Sequence, residues 1–245
     1  MRQKTAFQNF TALSASRVER LARLLENVTF RALLRGGRAG IESRLNVYLT
    51  MAADEQYVET LVLKIVCDLR NSGWWSYWSD QVLDILDSGY FYKNPVDNYV
   101  LWRYEMYLCS KTGYFVSKVN YGNLIRNESI EHIAPQTESS GEPVANGYGI
   151  YDDAKNAENG IVSGEWMNCL GNLMLISKSH NSSIGNKPFK TKIASYGRDN
   201  LLNQQKEVVR FVADRTDPVW DKAAIERRHV EILGVAKVLW ALDNL

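Results

Sequence analysis

The sequence predicts a mainly α-helical protein with a small strand–loop–strand–helix unit embedded in it. Apolar side chains recur at helical spacing through residues 14–112, which indicates a series of amphipathic helices. The periodicity then gives way to a long polar stretch, flanked by short β-prone segments at residues 129–130 and 173–176. Helical spacing returns after Pro188 and continues almost to the end of the chain.

The first half of the chain is expected to form five helices. In each, apolar residues recur every three or four positions, and such stripes normally face a protein core. The first run stops at Gly36 and Gly37, and glycine is typical of helix ends. The five predicted helices cover residues 14–34, 41–51, 56–69, 78–86 and 98–110.

The second half begins with a polar segment. Residues 137–164 are rich in glycine, asparagine, serine and acidic residues, and a loop this long is uncommon unless it is functional or disordered. A turn of helix from Trp166 leads into the second strand. A helix is expected near Pro188, because proline fits the first helical turn. Two more helices are predicted at 199–213 and 218–243, the second after an Asp-Pro start signal at 217–218.

Composition narrows the class of protein. A chain of 245 residues holds one large domain or two small ones, and 45% hydrophobic with 23% charged residues is ordinary for a globular protein. The net charge of +1 means that nucleic-acid binding requires a local basic patch. No apolar run approaches the roughly 20 residues that span a bilayer, and no signal peptide is evident. The three cysteines are widely separated, which predicts a reduced, cytoplasmic protein.

A carboxylate and a histidine stand side by side after the first β-prone pair. Phosphodiester cleavage needs a base, and His132 suits that task because the pKa of histidine lies near neutrality. Magnesium prefers oxygen ligands and keeps several waters, so one carboxylate and one amide suffice; Glu131 and Asn181 supply them. Neighbouring strand residues face opposite sides, so Glu131 and His132 share a site only if the strand ends there, which Pro135 favours.

Each signal also has an ordinary structural interpretation. A Glu-His pair commonly lies on the surface, Asn172 after a glycine fits a turn, and Asn181 beside two serines fits a helix cap. Order and spacing favour the functional interpretation: Asn172 follows His132 by 40 residues, and Asn181 comes 9 residues later. Together they predict a phosphodiesterase site with one metal ion.

Three motifs resemble the HNH (His-Me finger) module of GmrSD-type restriction endonucleases. They are Glu-His-Ile-x-Pro-Gln at 131–136, Leu-Gly-Asn-Leu-x-Leu at 170–175, and Asn-x-x-x-x-Asn-Lys-Pro-Phe-x-x-Lys at 181–192. The resemblance covers most of residues 95–245 and the first 90 only loosely. It includes the segment 99–105 and, near the end of the chain, Trp220, Ile225, Arg228 and Trp240. It implies a mainly α fold with a small ββα-metal unit in a helical framework.

The resemblance assigns a role to each residue of the motif. His132 is expected to be the general base and Glu131 a metal ligand. Asn172 is expected to fix the orientation of His132. Asn181 is the expected second ligand of one Mg²⁺ or Mn²⁺ ion, because its spacing from Asn172 and the Asn-Lys-Pro-Phe register select it. His180 is its rival.

Basic residues near the motif predict a DNA contact. Lys187, Lys190 and Lys192 are expected along one helix, within reach of phosphates; for Lys190 a solvated helix face is an equally good interpretation. Arg228 matches the family pattern. It is alternatively expected to serve structure alone, by pairing with an acid in the helical support. His229 is expected to be an ordinary surface or helix-face histidine.

The resemblance also suggests domains and partners. It divides the chain into a helical domain at 1–120 for support or partner docking, the nuclease module at 121–198, and C-terminal helices at 199–245. GmrSD-type systems usually include a nucleotide-binding sensor domain. None is evident here, since the glycine-rich segment 36–40 lacks the lysine–hydroxyl pair of a phosphate-binding loop. That domain is therefore expected in a partner subunit or in a preceding part of a longer chain.

The sequence thus predicts a metal-dependent HNH endonuclease that cuts DNA, modified or phage DNA included, in restriction or antiphage defence. Two alternatives remain open. One is a non-catalytic DNA-binding or assembly subunit of a defence complex. The other is an RNA-cleaving toxin of the same fold.

Overall fold

A computed structural model describes a large part of the chain. The described residues are 15–36, 40–52, 58–71, 80–114, 122, 126–136, 146–148, 164–197, 202–214, 216 and 218–241. Most of the predicted polar loop at 137–164 lies outside them, as do the first residues of the helices predicted at 78 and at 199 and Asp217 of the predicted start signal.

The described chain is mainly helical, as predicted. The α-helices are α1 (Ala15–Leu34), α2 (Ile41–Ala52), α3 (Val58–Asn71), α4 (Asp97–Thr112), α5 (Gly164–Met167), α6 (Lys178–Ile184), α7 (Phe189–Tyr196), α8 (Asn203–Glu207) and α9 (Lys222–Trp240). Three 3₁₀ segments cover Asp80–Asp87, Leu170–Asn172 and Val208–Val212. The strands are β1 (Glu128–His132) and β2 (Leu173–Ser177).

Most predicted helices are confirmed within about two residues, and three differ. The segment predicted as a helix at 78–86 is a 3₁₀ segment. The helix predicted at 199–213 is broken into α8 and a 3₁₀ segment. The last helix starts at Lys222 rather than at 218, because the Asp221 carboxylate accepts a hydrogen bond from the Ala224 amide (2.9 Å) and caps its first turn.

The two strands form an antiparallel pair. The register runs from Glu128 opposite Ser177 to His132 opposite Leu173. Helix α6 follows β2 directly, because the Ser177 hydroxyl accepts a hydrogen bond from the His180 amide and caps the helix. Strand, strand and helix therefore meet at one place in the fold.

The chain forms two compact units. The first comprises Met1–Ile85, Asn94–Val96 and Lys237–Leu245. Its core is an apolar cluster drawn from α1, α2 and α3, which includes Leu24, Tyr48 and Ile65. The periodic apolar faces of these helices therefore form a core, as their spacing predicts. The domain boundaries inferred from the sequence stay a prediction.

The second unit comprises Leu86–Lys93 and Asp97–Ala236. All four residues 173–176 of β2 are fully buried. Both faces of the strand are covered, which explains why apolar and polar residues do not alternate along it. Within the described part of the chain, no helix combines the length and the apolar character needed to cross a membrane.

A buried arginine of α9 holds the start of β2. The Arg228 guanidinium donates to the backbone carbonyls of Leu170 (3.2 Å), Gly171 (2.9 Å) and Leu173 (2.6 Å). It also forms a buried ion pair with Glu207 (Nε–Oε1 2.9 Å). The expected pairing of Arg228 with an acid of the helical support is confirmed.

Gly171 lets α9 approach the chain closely. A Cβ atom at this position would lie 2.2 Å from the Ile225 carbonyl oxygen and 2.9 Å from the His229 Cβ. His229, expected at the surface or on a helix face, lies on α9 and is buried there: its Nδ1 accepts from the Gly171 amide (3.3 Å), and its Nε2 contacts Asp87 (2.9 Å). The glycine before Asn172 therefore allows α9 to pack closely against this turn.

We expect Gly171→Ala to lower the free energy of unfolding by about 3 kcal/mol, because the new methyl group overlaps backbone that cannot retreat. Gly234→Ala is the control. Gly234 lies on the exposed side of α9, and a Cβ there would meet no heavy atom within 4 Å, so alanine should stabilise the protein by up to about 1 kcal/mol. Urea unfolding of both variants tests this; equal effects would contradict the close approach.

Candidate active site

The predicted carboxylate and histidine are the last two residues of β1. Glu131 and His132 are both buried, with 5% and 8% of their surfaces exposed. The strand ends at His132, which is the condition under which the two neighbours can serve one site. Because strand residues alternate, Glu131 shares its face of β1 with Ser129.

Lys192 of α7 closes the end of β1 from the Glu131 side. Its ammonium contacts the Glu131 carboxylate (Nζ–Oε1 2.5 Å) and donates to the carbonyl oxygens of His132 (3.1 Å) and Ile133 (3.2 Å). Lys192 is only 1% exposed. The predicted DNA contact of Lys192 therefore does not fit the structure, because its charge is committed to three protein oxygens.

Burial shifts the pKa values of both members of the Glu131–Lys192 pair. Loss of solvent raises the pKa of Glu131 and lowers the pKa of Lys192, since burial disfavours both charges. Their mutual contact opposes both shifts. A carboxylate in this position benefits from any cation that reaches it.

Asn181 of α6 lies over the same face of β1 as Glu131. Its amide nitrogen donates to the Ser129 hydroxyl (3.0 Å). Its amide oxygen accepts no hydrogen bond from any residue that the structure describes. The amide is thus held by its nitrogen and presents its oxygen.

His180, the rival ligand, is engaged with protein groups at both ring nitrogens. Its Nε2 lies 2.9 Å from the Ser195 hydroxyl, and its Nδ1 lies 3.1 Å from the Gln205 amide nitrogen. Ser195 in turn donates to the backbone carbonyl of Lys192 (2.7 Å). This geometry suits a support for α7 and favours Asn181 over His180 as a ligand.

The His132 ring is held by two residues to which the sequence motifs assign no role. Its Nε2 lies 3.2 Å from the amide oxygen of Asn168. The Tyr92 ring packs edge-on against it, with centroids 4.5 Å apart and planes at 79°. Burial lowers the pKa of His132 to about 4, aided by the Lys192 charge and opposed by the Asn168 contact, so the ring is neutral at neutral pH.

Asn172 holds the backbone that follows His132 and does not hold its ring. The amide oxygen accepts from the Ala134 amide (2.8 Å) and the Trp220 indole (3.0 Å). The amide nitrogen donates to the carbonyls of Ala134 (3.0 Å) and Met167 (2.9 Å). The predicted orienting role of Asn172 is therefore corrected to one that acts through the chain after β1.

The other two predicted DNA-binding lysines are exposed. Lys187 precedes α7, and its ammonium donates to the Ser183 carbonyl (2.7 Å). Lys190 lies on the exposed side of α7, two positions from the buried Lys192. Of the three lysines expected along one helix, Lys190 and Lys192 lie on α7, whereas Lys187 precedes it because α7 starts at Phe189; Lys192 is turned inward.

Sequence reasoning misses two neighbours of His132, namely Asn168 and Tyr92. Tyr92 precedes His132 by 40 residues and Asn168 follows it by 36, and neither stands in a motif with it. An isolated bridge between Tyr90 and Asn168, with the Tyr92 amide bonded to the Asn168 carbonyl (3.0 Å), brings them together. No spacing rule signals such a bridge.

The family of the chain follows from a comparison with known families. The family described as GmrSD restriction endonucleases, C-terminal domain, matches residues 84–235. This is more than half of the chain, and the chain belongs to that family, as the sequence motifs predict. Membership supports a nuclease function with DNA as the substrate. No curated protein and no solved structure matches the chain.

The site offers few ligands for a metal ion. Among the described residues, no group of three or more His, Cys, Asp or Glu side chains is placed to hold one. Glu131 nevertheless lies on the face of β1 that Asn181 covers through Ser129, so each can offer a side-chain oxygen there. The Tyr196 hydroxyl, fully buried and without a hydrogen-bond partner among the described residues, interacts electrostatically with Glu131. These observations fit a hard cation that keeps several waters.

We expect Asn172→Ala to lower the free energy of unfolding by roughly 3 kcal/mol, because four buried polar groups lose their partner. Asn181→Ala is the matched control. Asn181 is half-buried and its side chain makes one hydrogen bond among the described residues, so its loss should cost about 1 kcal/mol or less. Denaturant unfolding of both variants decides; a larger cost at Asn181 would contradict these assignments.

Proposed function

We propose that this chain is a metal-dependent endonuclease of the HNH (His-Me finger) type, which hydrolyses DNA phosphodiester bonds in restriction or antiphage defence. One observation supports the proposal above the others. Glu131 and His132 end β1, and Asn181 of the helix after β2 lies over the Glu131 face, in a chain of the GmrSD family. This arrangement supports a site built from the three residues that the chemistry requires.

His132 is the base that takes a proton from the attacking water. Burial keeps its ring neutral at neutral pH, so a lone pair is available on one nitrogen. The bond to Asn168 and the edge of Tyr92 hold the ring in one orientation, which reduces the cost of reaching the reactive geometry.

Glu131 and Asn181 would hold the metal ion, Mg²⁺ or Mn²⁺, one per site. When bound, the ion supplies positive charge for the phosphoryl group and the leaving oxygen. Lys192 keeps the Glu131 carboxylate in place and ties it to the end of β1. The Glu131 side of the site is therefore already formed before DNA binds.

Lys187 and Lys190 are the residues of the site that would meet the DNA backbone. Both are exposed near the start of α7, the helix that also carries Lys192 into the site. Exposed lysines bind phosphates without reading bases, so these two would add affinity and no sequence preference. Recognition of particular DNA, modified or phage DNA included, would then come from a nucleotide-binding sensor domain or subunit.

The proposal predicts DNA cleavage that needs both a divalent ion and His132. Supercoiled plasmid should be nicked or linearised with Mg²⁺ or Mn²⁺ and not with EDTA. His132→Ala should lose about 100-fold or more of the rate, because a general base contributes that much. Asn181→Ala should lose activity at low Mg²⁺ and regain part of it at high Mg²⁺, whereas His180→Gln should keep the metal dependence of the wild type.

Several outcomes would contradict this proposal. Cleavage that survives EDTA or His132→Ala would remove the metal or the base from the mechanism. Mn²⁺ binding without cleavage of plasmid, phage DNA or RNA would favour a non-catalytic binding subunit. Cleavage of RNA alone would make the chain a ribonuclease of the same fold.

We expect the double variant Lys187→Gln/Lys190→Gln to bind DNA more weakly and with a salt dependence lower by about 2 in log–log slope, since each lysine accounts for about one released counterion. Binding is measured in the cleavage-deficient His132→Ala background at several salt concentrations. Arg23→Gln/Lys64→Gln, which removes the same charge from α1 and α3, is the control. An equal loss in both double variants would show that net charge alone matters.

A further inference from the structure

The neighbours of His132 indicate which ring nitrogen acts as the base. We propose that Asn168 is the positioning residue of His132, and that its bond to Nε2 leaves Nδ1 as the nitrogen that receives the proton. This inference rests on the proposed function, in which His132 is the general base. It adds a residue that lies outside all three motifs.

The atoms that contact the ring determine the tautomer of His132. The ring Nε2 faces the amide oxygen of Asn168 at 3.2 Å. The Gln136 amide nitrogen approaches the same oxygen at 3.5 Å. An amide oxygen only accepts hydrogen bonds, so Nε2 carries the hydrogen. A neutral imidazole has one N–H, and the lone pair is therefore on Nδ1.

Asn168 is itself held in place by its backbone. Its carbonyl oxygen accepts from the Tyr92 amide (3.0 Å), and it pairs with Tyr90 in a parallel bridge. The same tyrosine segment places the Tyr92 ring edge-on against His132. One short segment thus sets both the acceptor for Nε2 and the plane of the ring.

The Asn172 side chain is engaged elsewhere and does not contact the His132 ring. Its amide oxygen accepts hydrogen bonds from two buried groups, and its amide nitrogen donates to two more. The two asparagines therefore divide the work. Asn172 shapes the chain that carries His132, and Asn168 selects the tautomer of its ring.

The proton transfer follows from this tautomer. One O–H bond of the attacking water breaks, its proton joins the Nδ1 lone pair, and the electron pair stays on the oxygen that attacks phosphorus. As the new P–O bond forms, the bond from phosphorus to the leaving oxygen breaks, and that oxygen leaves with the bonding pair and takes a proton from solvent water. The ring becomes an imidazolium whose Nε2–H still donates to the Asn168 oxygen. That hydrogen bond gains strength as the ring gains charge, which favours the transfer.

The test is ¹⁵N NMR of the histidine ring nitrogens in the full chain, without DNA or metal. His132 should be the Nε2–H tautomer at neutral pH, assigned by loss of its signals in His132→Ala. Asn168→Ala should shift the ring toward Nδ1–H and lower kcat about 100-fold with KM little changed. Asn168→Asp keeps an acceptor oxygen and should restore the tautomer and most of the rate. Asn98→Ala, at a half-buried asparagine elsewhere in the same unit, should change neither.

An Nδ1–H tautomer in the wild-type protein would overturn the inference, even if the Asn168 variants fail to fold. So would an unchanged tautomer in folded Asn168→Ala. The NMR result is independent of cleavage: the expected tautomer in a protein that cuts nothing would refute the proposed function and leave the positioning of His132 by Asn168 intact.

Discussion

The site depends on one buried ion pair, between Glu131 at the end of β1 and Lys192 on α7. Both side chains are almost fully buried, and the same ammonium holds the carbonyls of His132 and Ile133. Removal of one partner from such a pair commonly costs about 3–5 kcal/mol, because the other charge is left buried and alone. The carboxylate that would hold a metal and the chain that carries the base are therefore fixed by the same lysine.

Further buried contacts support this end of the sheet. A two-stranded hairpin is marginal by itself, so the pair β1–β2 needs other elements to hold it. Arg228 binds three carbonyls at the start of β2, and Asn172 ties the chain after β1 to Met167 and Trp220. Gly171 allows α9 to lie against the same turn. The proposed catalytic groups thus stand on a small sheet that the helices make rigid.

The sequence predicts those features that depend on local patterns. The apolar stripe of residues 14–34 and the unbroken apolar run at 173–176 give helix and strand directly, and Pro135 indicates that β1 ends near His132. The sequence does not predict features that depend on residues far away in the chain. Lys192 looks like a DNA-binding lysine until Glu131, 61 residues earlier, is seen beside it. His229 likewise looks exposed until Gly171 lets its helix close in.

In the proposed site, Glu131 and Asn181 would hold one divalent ion on the face of β1. The most direct measurement is anomalous diffraction from crystals of the chain grown with Mn²⁺. We expect a single peak in contact with a Glu131 carboxylate oxygen and the Asn181 amide oxygen, at about the 2.1 Å typical of small hard cations. A peak at the His180 ring, or full Mn²⁺ exclusion with Lys192 still alone on Glu131, would contradict it.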